Sequence, residues 1–184
     1  MQFDKDIPKD KLLIKIFRFV QNIPYRITPF DSNKYACKEP VTTSLKQGDC
    51  RHKSLLLHNL LLQNNFEVKK YKTIFDWKDL PIPKEILNTL QKSGTRWSHD
   101  IVGIGLNKYS ISYIDPTWNS ELERLGFPVT GAWDGKESTK QITREKLEYL
   151  DAENFKEKDH GIIIDKAETQ EFTKTLNEWL DKSS

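Results

Sequence analysis

The sequence predicts an α+β fold in one domain spanning residues 1–184, with a buried central helix and antiparallel strands. Three observations predict it. The segment "CRHKSLLLHNLLLQ" is apolar nearly all round, the pattern of a helix enclosed on every side. Two alternating segments, "WSHDIVGIGL" and "YSISYID", are separated only by "NK", the spacing of a tight hairpin. Helical and strand patterns are mixed along the chain, and adjacent strands read as antiparallel rather than as crossover units.

The elements follow in order. Residues 10–21, "DKLLIKIFRFVQ", place Leu12, Leu13, Ile16, Phe17 and Val20 on one helical face, with Asp10 as the expected cap. "NIPYRITPF" ends that helix with two prolines, and residues 31–47 read as loop. The leucine-rich helix runs from about Asp49 to Asn64. "FEVKKYKTIF", residues 66–75, reads as a strand whose alternation breaks in the middle, a register irregularity. "PIPKEILNTLQKSG" reads as a short helix between Pro83 and Gly94. The hairpin strands come next, turning at Asn107 and Lys108. Residues 119–140 form a long loop. "ITREKLEYLD" is expected to be helical with Thr143 as its cap, "HGIIID" to be a short strand, and "ETQEFTKTLNEWLDK" a terminal amphipathic helix.

Composition narrows the function classes. Charged residues make up 30% and hydrophobic residues 36% of the 184, an ordinary globular balance. Twenty-nine basic against 27 acidic residues leave a net charge of +2, which gives no footprint for nucleic acid or an anionic membrane. No apolar run approaches the ~20 residues a membrane span needs. "MQFDKDIPKDK" lacks the apolar core of a secretory signal. Two cysteines without such a signal point to the cytoplasm and to free thiols, although Cys37 and Cys50 could also pair.

The chemistry gathers on Cys50. It stands where the central helix begins, and a helix N-terminus offers unpaired N–H groups and a partial positive charge that favour a thiolate. Gly48 lets the chain turn into the helix and leaves room near the sulfur. The alternative is an inert buried thiol. A thiol nucleophile needs a base, and the base needs an orienting partner. Among four histidines, His52 at i+2 points away from Cys50, and His58 at i+8 lies roughly 12 Å along the axis. Both read as surface or core-edge residues. His160 is isolated at the start of a late apolar segment. His99 begins a hairpin strand whose partner ends at Asp115. Residues 99 and 115 are centred on 107, so a hairpin centred there sets the two opposite one another, with Cβ atoms ~5 Å apart on one face. Asp100 competes for the partner role but points to the other face.

Three stretches, "GDCRHKSLLLHNLLLQNNFEV", "WSHDIV" and "YIDPTWN", resemble the transglutaminase-like superfamily, a variation on the papain-like thiol fold. "DKLLIKIFRFVQNIPY" is similar to the helix that leads into that core. The resemblance covers about residues 8–120 and leaves 121–184 as a C-terminal extension of the same domain. It implies Cys50 as nucleophile, His99 as general acid and base, and Asp115 as orienting carboxylate. Two features depart from the pattern: Ile101 stands where many members have an aromatic residue, and "DLPIPKEILNTLQKSG" is inserted ahead of the histidine strand.

The expected activity is acyl transfer from a peptide or protein amide through a Cys50 thioester. Release by water makes a cysteine peptidase or amidase. Release by an amine makes a transglutaminase, and an idle triad leaves a binding module. An apolar acceptor tunnel would favour transfer, and an open polar cleft hydrolysis. The Cys50 backbone N–H and the Gln47 side chain are the expected oxyanion donors. Trp97 would shield the imidazole or simply pack in the core. Trp118 reads as packing, and Trp133 as either a cleft wall or a loop anchor. No cofactor, phosphate loop, calcium site or metal cluster is expected: "GKEST" lacks the upstream glycine of a phosphate loop, and Cys50, His52 and His58 lack a second ligand pair.

Overall fold

The computed structural model describes residues 7–30, 45–107 and 110–183. Cys37, most of the expected 31–47 loop and Lys108 of the hairpin turn lie outside them.

Helix α1 (Lys9–Gln21) buries Leu12, Leu13, Ile16, Phe17 and Val20, the face its spacing predicts. Pro8, not Asp10, precedes it, and no side chain caps it. Asp10 lies inside the first turn, where a carboxylate still complements the helix dipole. Helix α2 (Cys50–Gln63) is capped by Asp49, whose side chain accepts from the Arg51 N–H. It packs on α1 and on two strands, β1 (Val68–Asp76) and β2 (Arg96–Asn107). With β3 (Ser110–Ile114) and β4 (Leu150–Asp151) these form an antiparallel sheet in the order β3-β2-β1-β4. The chain is therefore α+β, with the helix that carries Cys50 laid on the sheet.

Two apolar clusters hold this arrangement. Leu56, Leu57, Leu60 and Leu61 of α2 join α1 with Val102, Ile104 and Ile114 in the first. The second gathers Phe75, Trp77, Trp118, Phe127 and, from α4 (Lys166–Ser183), Phe172, Leu176 and Leu180. Val68 packs against the first cluster while Phe75 belongs to the second. The two ends of β1 thus bury opposite sets of alternating residues. That explains the broken alternation without any slip, because β1 pairs with β2 continuously from Val68–Ile104 to Asp76–Arg96.

Four expectations change. The helix after Pro83 is a single turn, α3 (Lys84–Leu87). "ITREKLEYLD" is not helical: Ile142 is drawn into the second cluster, and Leu150 and Asp151 extend to pair with Lys72 and Tyr71. Tertiary burial and an open sheet edge override a moderate helix propensity. "HGIIID" is not a strand either, since no partner strand lies beside it; His160 ends a 3₁₀ turn and Ile162–Asp165 runs unpaired into α4. The register irregularity falls instead between β2 and β3, at Gly105 and Asn107.

Candidate active site

The approach to Cys50 is built from two crossing segments. Tyr25 forms a parallel bridge with Gly48, and the Gly48 N–H donates to the Pro24 carbonyl at 3.1 Å. A Cβ at Gly48 would stand 2.7 Å from the Cβ of His52. The glycine therefore gives the first turn of α2 its close seat. The space beside it belongs to His52, not to a substrate. Cys50 follows as the first residue of α2, a half-buried free thiol.

His52 is not the surface residue its position suggested. It is 2% exposed, its Nδ1 lies 3.1 Å from Asp49 Oδ1, and its Nε2 lies 3.2 Å from the Pro29 carbonyl. Burial alone would raise the Asp49 carboxyl, but hydrogen bonds from His52 and Arg51 outweigh it and lower the carboxyl to about 2. His58 is half-buried beside Asn59, and His160 stacks on Phe155 at 4.8 Å.

His99 is fully buried, with Nε2 2.8 Å from Asp115 Oδ2. The two do not stand opposite each other. Val102 pairs with Ile114, which sets Ile101 opposite Asp115, while His99 pairs on its other side with Thr73. Val102–Ile114 is centred one position later in the chain than expected, which moves Asp115 by two residues. An even offset keeps both side chains on one face, and diagonal neighbours remain within reach of an imidazole. Asp100 turns away and pairs with Lys72 at 3.0 Å. Burial pushes the His99 ring towards neutrality, but the charges of Asp115 and Cys50 and the Asp115 hydrogen bond outweigh it and raise its pKa to about 10. No bond of ordinary length reaches the buried Nδ1. Cys50 acts on this ring electrostatically and lines the same cavity.

"DPTWN" is a scaffold for this carboxylate. Asp115 Oδ1 accepts from the Thr117 N–H at 3.0 Å, a side-chain turn spanning Pro116. The Asp115 N–H donates to Thr139 Oγ1 at 2.8 Å. Trp118 donates to the Ile142 carbonyl at 2.8 Å and packs on Tyr25 at 4.6 Å. Asn119 Oδ1 accepts from the Tyr25 N–H at 2.9 Å. Thr139, from the stretch without phosphate-loop chemistry, therefore serves Asp115.

Sequence reasoning overlooked Lys53. This lysine is buried one turn after Cys50 and donates to the carbonyls of Gln21 at 3.0 Å, Ile23 at 2.7 Å and Thr117 at 2.8 Å. Burial lowers its pKa to about 7, against the pull of Asp115. Three carbonyls match the three donors of an ammonium, whereas a neutral amine has only two. Its one signal is a charge one turn after Cys50, just ahead of the leucine run.

A cavity of about 270 Å³ opens beside Cys50 and His99. Trp97 lines it, with its ring 5.6 Å from Trp77 and 5.3 Å from Phe172, so it is both wall and core. Gln47 is exposed, and its side chain takes no part in the wall because the backbone bridge to Tyr25 turns the chain there. Tyr25 lines the cavity in its place. Burial, then the charges of Cys50 and Asp49, push its phenol well above its ordinary pKa, so it stays a proton donor. Trp133 packs 4.8 Å from Phe17 and anchors the loop.

Among the described residues no helix is long and apolar enough to cross a membrane, and no three histidine, cysteine or acidic side chains gather as metal ligands. No protein-family model matches the chain, and no curated protein and no solved structure matches it.

Proposed function

We propose that this chain is a cysteine-dependent acyl-transfer enzyme with a transglutaminase-like core, a peptidase- or amidase-type hydrolase. One observation carries the reading. The buried His99 is fixed by Asp115 through Nε2, its Nδ1 is left unbonded, and Cys50 acts on the same ring. A purely structural histidine would have both nitrogens engaged.

The steps follow from these groups. With His99 protonated, the Cys50 thiolate attacks the amide carbon. The oxyanion takes hydrogen bonds from the Cys50 N–H, which is free at the start of α2, and from the Tyr25 phenol. His99 gives its proton to the leaving nitrogen, the C–N bond breaks, and the amine departs from a thioester. Water then attacks that thioester while the neutral imidazole takes its proton. The acid leaves, and the thiolate–imidazolium pair is restored.

Amine transfer uses the same residues. The apolar inner wall of the cavity favours it, since a sheltered thioester survives until an amine arrives. The half-buried charged rim, with Arg51, Lys72 and Glu157, favours entry of water. A thiol-directed acyl probe decides the first question by intact mass. The expected adduct maps to Cys50 and is absent from His99→Ala. Release by buffer indicates a hydrolase, and release only by added amines a transferase. A Cys50 that takes no adduct from any amide, ester or thioester would leave the binding-module reading.

A further inference from the structure

The cavity beside Cys50 has an uneven wall. Its inner side is Phe75, Trp77, Trp97, Ile142 and Ile162. The charges around it are already partnered. Asp49 binds Arg51 and His52, Lys72 binds Asp100 at 3.0 Å, and Glu157 accepts from Ser98 at 2.7 Å. A charged ligand entering here would have to break one of these pairs. The mouth carries an exposed apolar lip. Ile164 is 56% exposed and lines the cavity, and Ile163 beside it is 62% exposed. The lip is preformed. Gly161, at φ +68°, turns the chain into it, and the Asp165 N–H donates to Ser93 Oγ at 2.9 Å where α4 begins.

We propose that this cavity is the acyl-side specificity pocket, and that it selects substrates whose reacting carbonyl carries a neutral, apolar side chain of about phenylalanine size. The inference rests on the acyl-transfer reading above. Volume sets the upper limit, because about 270 Å³ lies below the ~300 Å³ at which pockets begin to hold whole drug-sized ligands. It admits one side chain rather than an extended peptide. The acyl side is assigned because that part of the substrate stays through both half-reactions, while the amine must leave and water must enter. A recess suits the group that stays, and the charged rim suits the group that exchanges.

The test compares 4-nitrophenyl esters of N-acetylglycine, -leucine, -phenylalanine and -glutamate, reading Cys50 acylation by intact mass. The phenylalanine and leucine esters should acylate at least about tenfold faster than the glycine ester, the scale on which apolar pockets discriminate. The glutamate ester should be the slowest. Ile164→Asp should lower the phenylalanine-to-glycine ratio several-fold. A ratio near one, or a ratio that Ile164→Asp does not move, would overturn the pocket. So would a series of N-acetylglycine amides whose rates spread more widely with the leaving amine than the ester rates do with the acyl side chain. If no ester acylates Cys50, the acyl-transfer reading fails separately. The pocket is then judged by 3-phenylpropionamide binding to Cys50→Ala, read from tryptophan fluorescence. Saturable quenching that weakens in Cys50→Ala/Ile164→Asp supports an apolar site, and no quenching excludes it.

Discussion

Among the described residues the protein buries two histidine–aspartate pairs, and they differ in what the second nitrogen of each imidazole does. In His52–Asp49 the ring reaches Asp49 with one nitrogen and the Pro29 carbonyl with the other, while Arg51 also holds the carboxylate. In His99–Asp115 the carboxylate is just as well held, by Thr117, but the ring keeps Nδ1 unbonded within reach of Cys50's influence. Asp49 and His99 line the same cavity as the thiol, and both pairs are almost wholly buried. A pair with every donor and acceptor engaged locks the first turn of α2. A pair with one nitrogen in reserve can move a proton.

The largest test of that contrast is kinetic. Asp115→Asn keeps the shape and removes the charge that stabilises the imidazolium, so acylation of Cys50 should fall about 10²–10⁴-fold. His99→Ala should cost at least as much, and the double variant little more, because the two act as one unit. Asp100→Asn, whose side chain pairs with Lys72, should change the rate far less. Asp49→Asn should do the reverse of Asp115→Asn. It should lower stability by about 2–4 kcal/mol, through the lost cap and charged bonds, with a much smaller effect on acylation per folded molecule. Single-turnover labelling beside denaturant melts reads both. Equal rate losses for Asp49→Asn and Asp115→Asn would erase the distinction.

The two pairs should also fail at opposite ends of the pH scale. The Asp49 carboxyl is held near about 2, below its unfolded value, so its contribution is present above pH 4 and lost as pH falls through about 2. The His99 ring is held near about 10, above its unfolded value. Its contribution is complete below about pH 6.5 and lost as pH rises through about 10. Lys53 acts in the opposite sense, since burial depresses its pKa and stability from this group rises between about 7 and 10.5. The useful quantity is therefore the difference between wild type and His99→Gln in urea midpoints. That difference should shrink from pH 6.5 to 10. A difference that is flat across the window would mean that His99 is neutral in the fold.

Lys53 shares α2 with His52 and reaches the Thr117 carbonyl beside Asp115, and its removal should be felt mainly as stability. Lys53→Met leaves three buried carbonyls without a donor, at about 1–3 kcal/mol each before relaxation. Thermal melts should show one of the largest losses of any single substitution away from the apolar clusters. A variant as stable as wild type would show that water replaces the ammonium.

Much of this was legible in the sequence, and the misses have physical causes. The central helix, the hairpin, the place of Cys50 at the helix start and the contact between His99 and Asp115 follow from local pattern, because apolar periodicity and strand parity survive small errors. The direct pairing of His99 with Asp115 was wrong by two residues. Moving the centre of the hairpin by one position displaces the partner by two residues and keeps parity, so the side chains still meet. Gln47 failed as an oxyanion donor because a backbone bridge to Tyr25, 22 positions earlier in the chain, sets where that segment points. Tyr25 and Lys53 act through contacts distant in sequence, which no periodicity reports. "ITREKLEYLD" and "HGIIID" were misread for a related reason. What each becomes is decided by Leu150 reaching the edge of β1 and by Ile162 and Ile164 reaching the cavity, not by their own propensities.

The smallest effect expected is the most informative about how Asp115 is aimed. Thr139 touches neither Cys50 nor His99, yet its hydroxyl takes the Asp115 N–H at 2.8 Å, and its own N–H donates to the Tyr113 carbonyl at 3.1 Å. Thr139→Val keeps the volume and the backbone bond but leaves the Asp115 N–H without its acceptor. A buried donor left unsatisfied costs about 1–3 kcal/mol, and part of that cost can be relieved by tilting the Asp115 peptide. The tilt would swing the carboxylate relative to the imidazole. Thr139→Val should therefore slow acylation several-fold, while Thr139→Ser, which keeps the hydroxyl, should restore most of the rate. If Val and Ser variants lose stability in proportion but acylate alike, the hydroxyl holds the fold and plays no part in aiming the carboxylate.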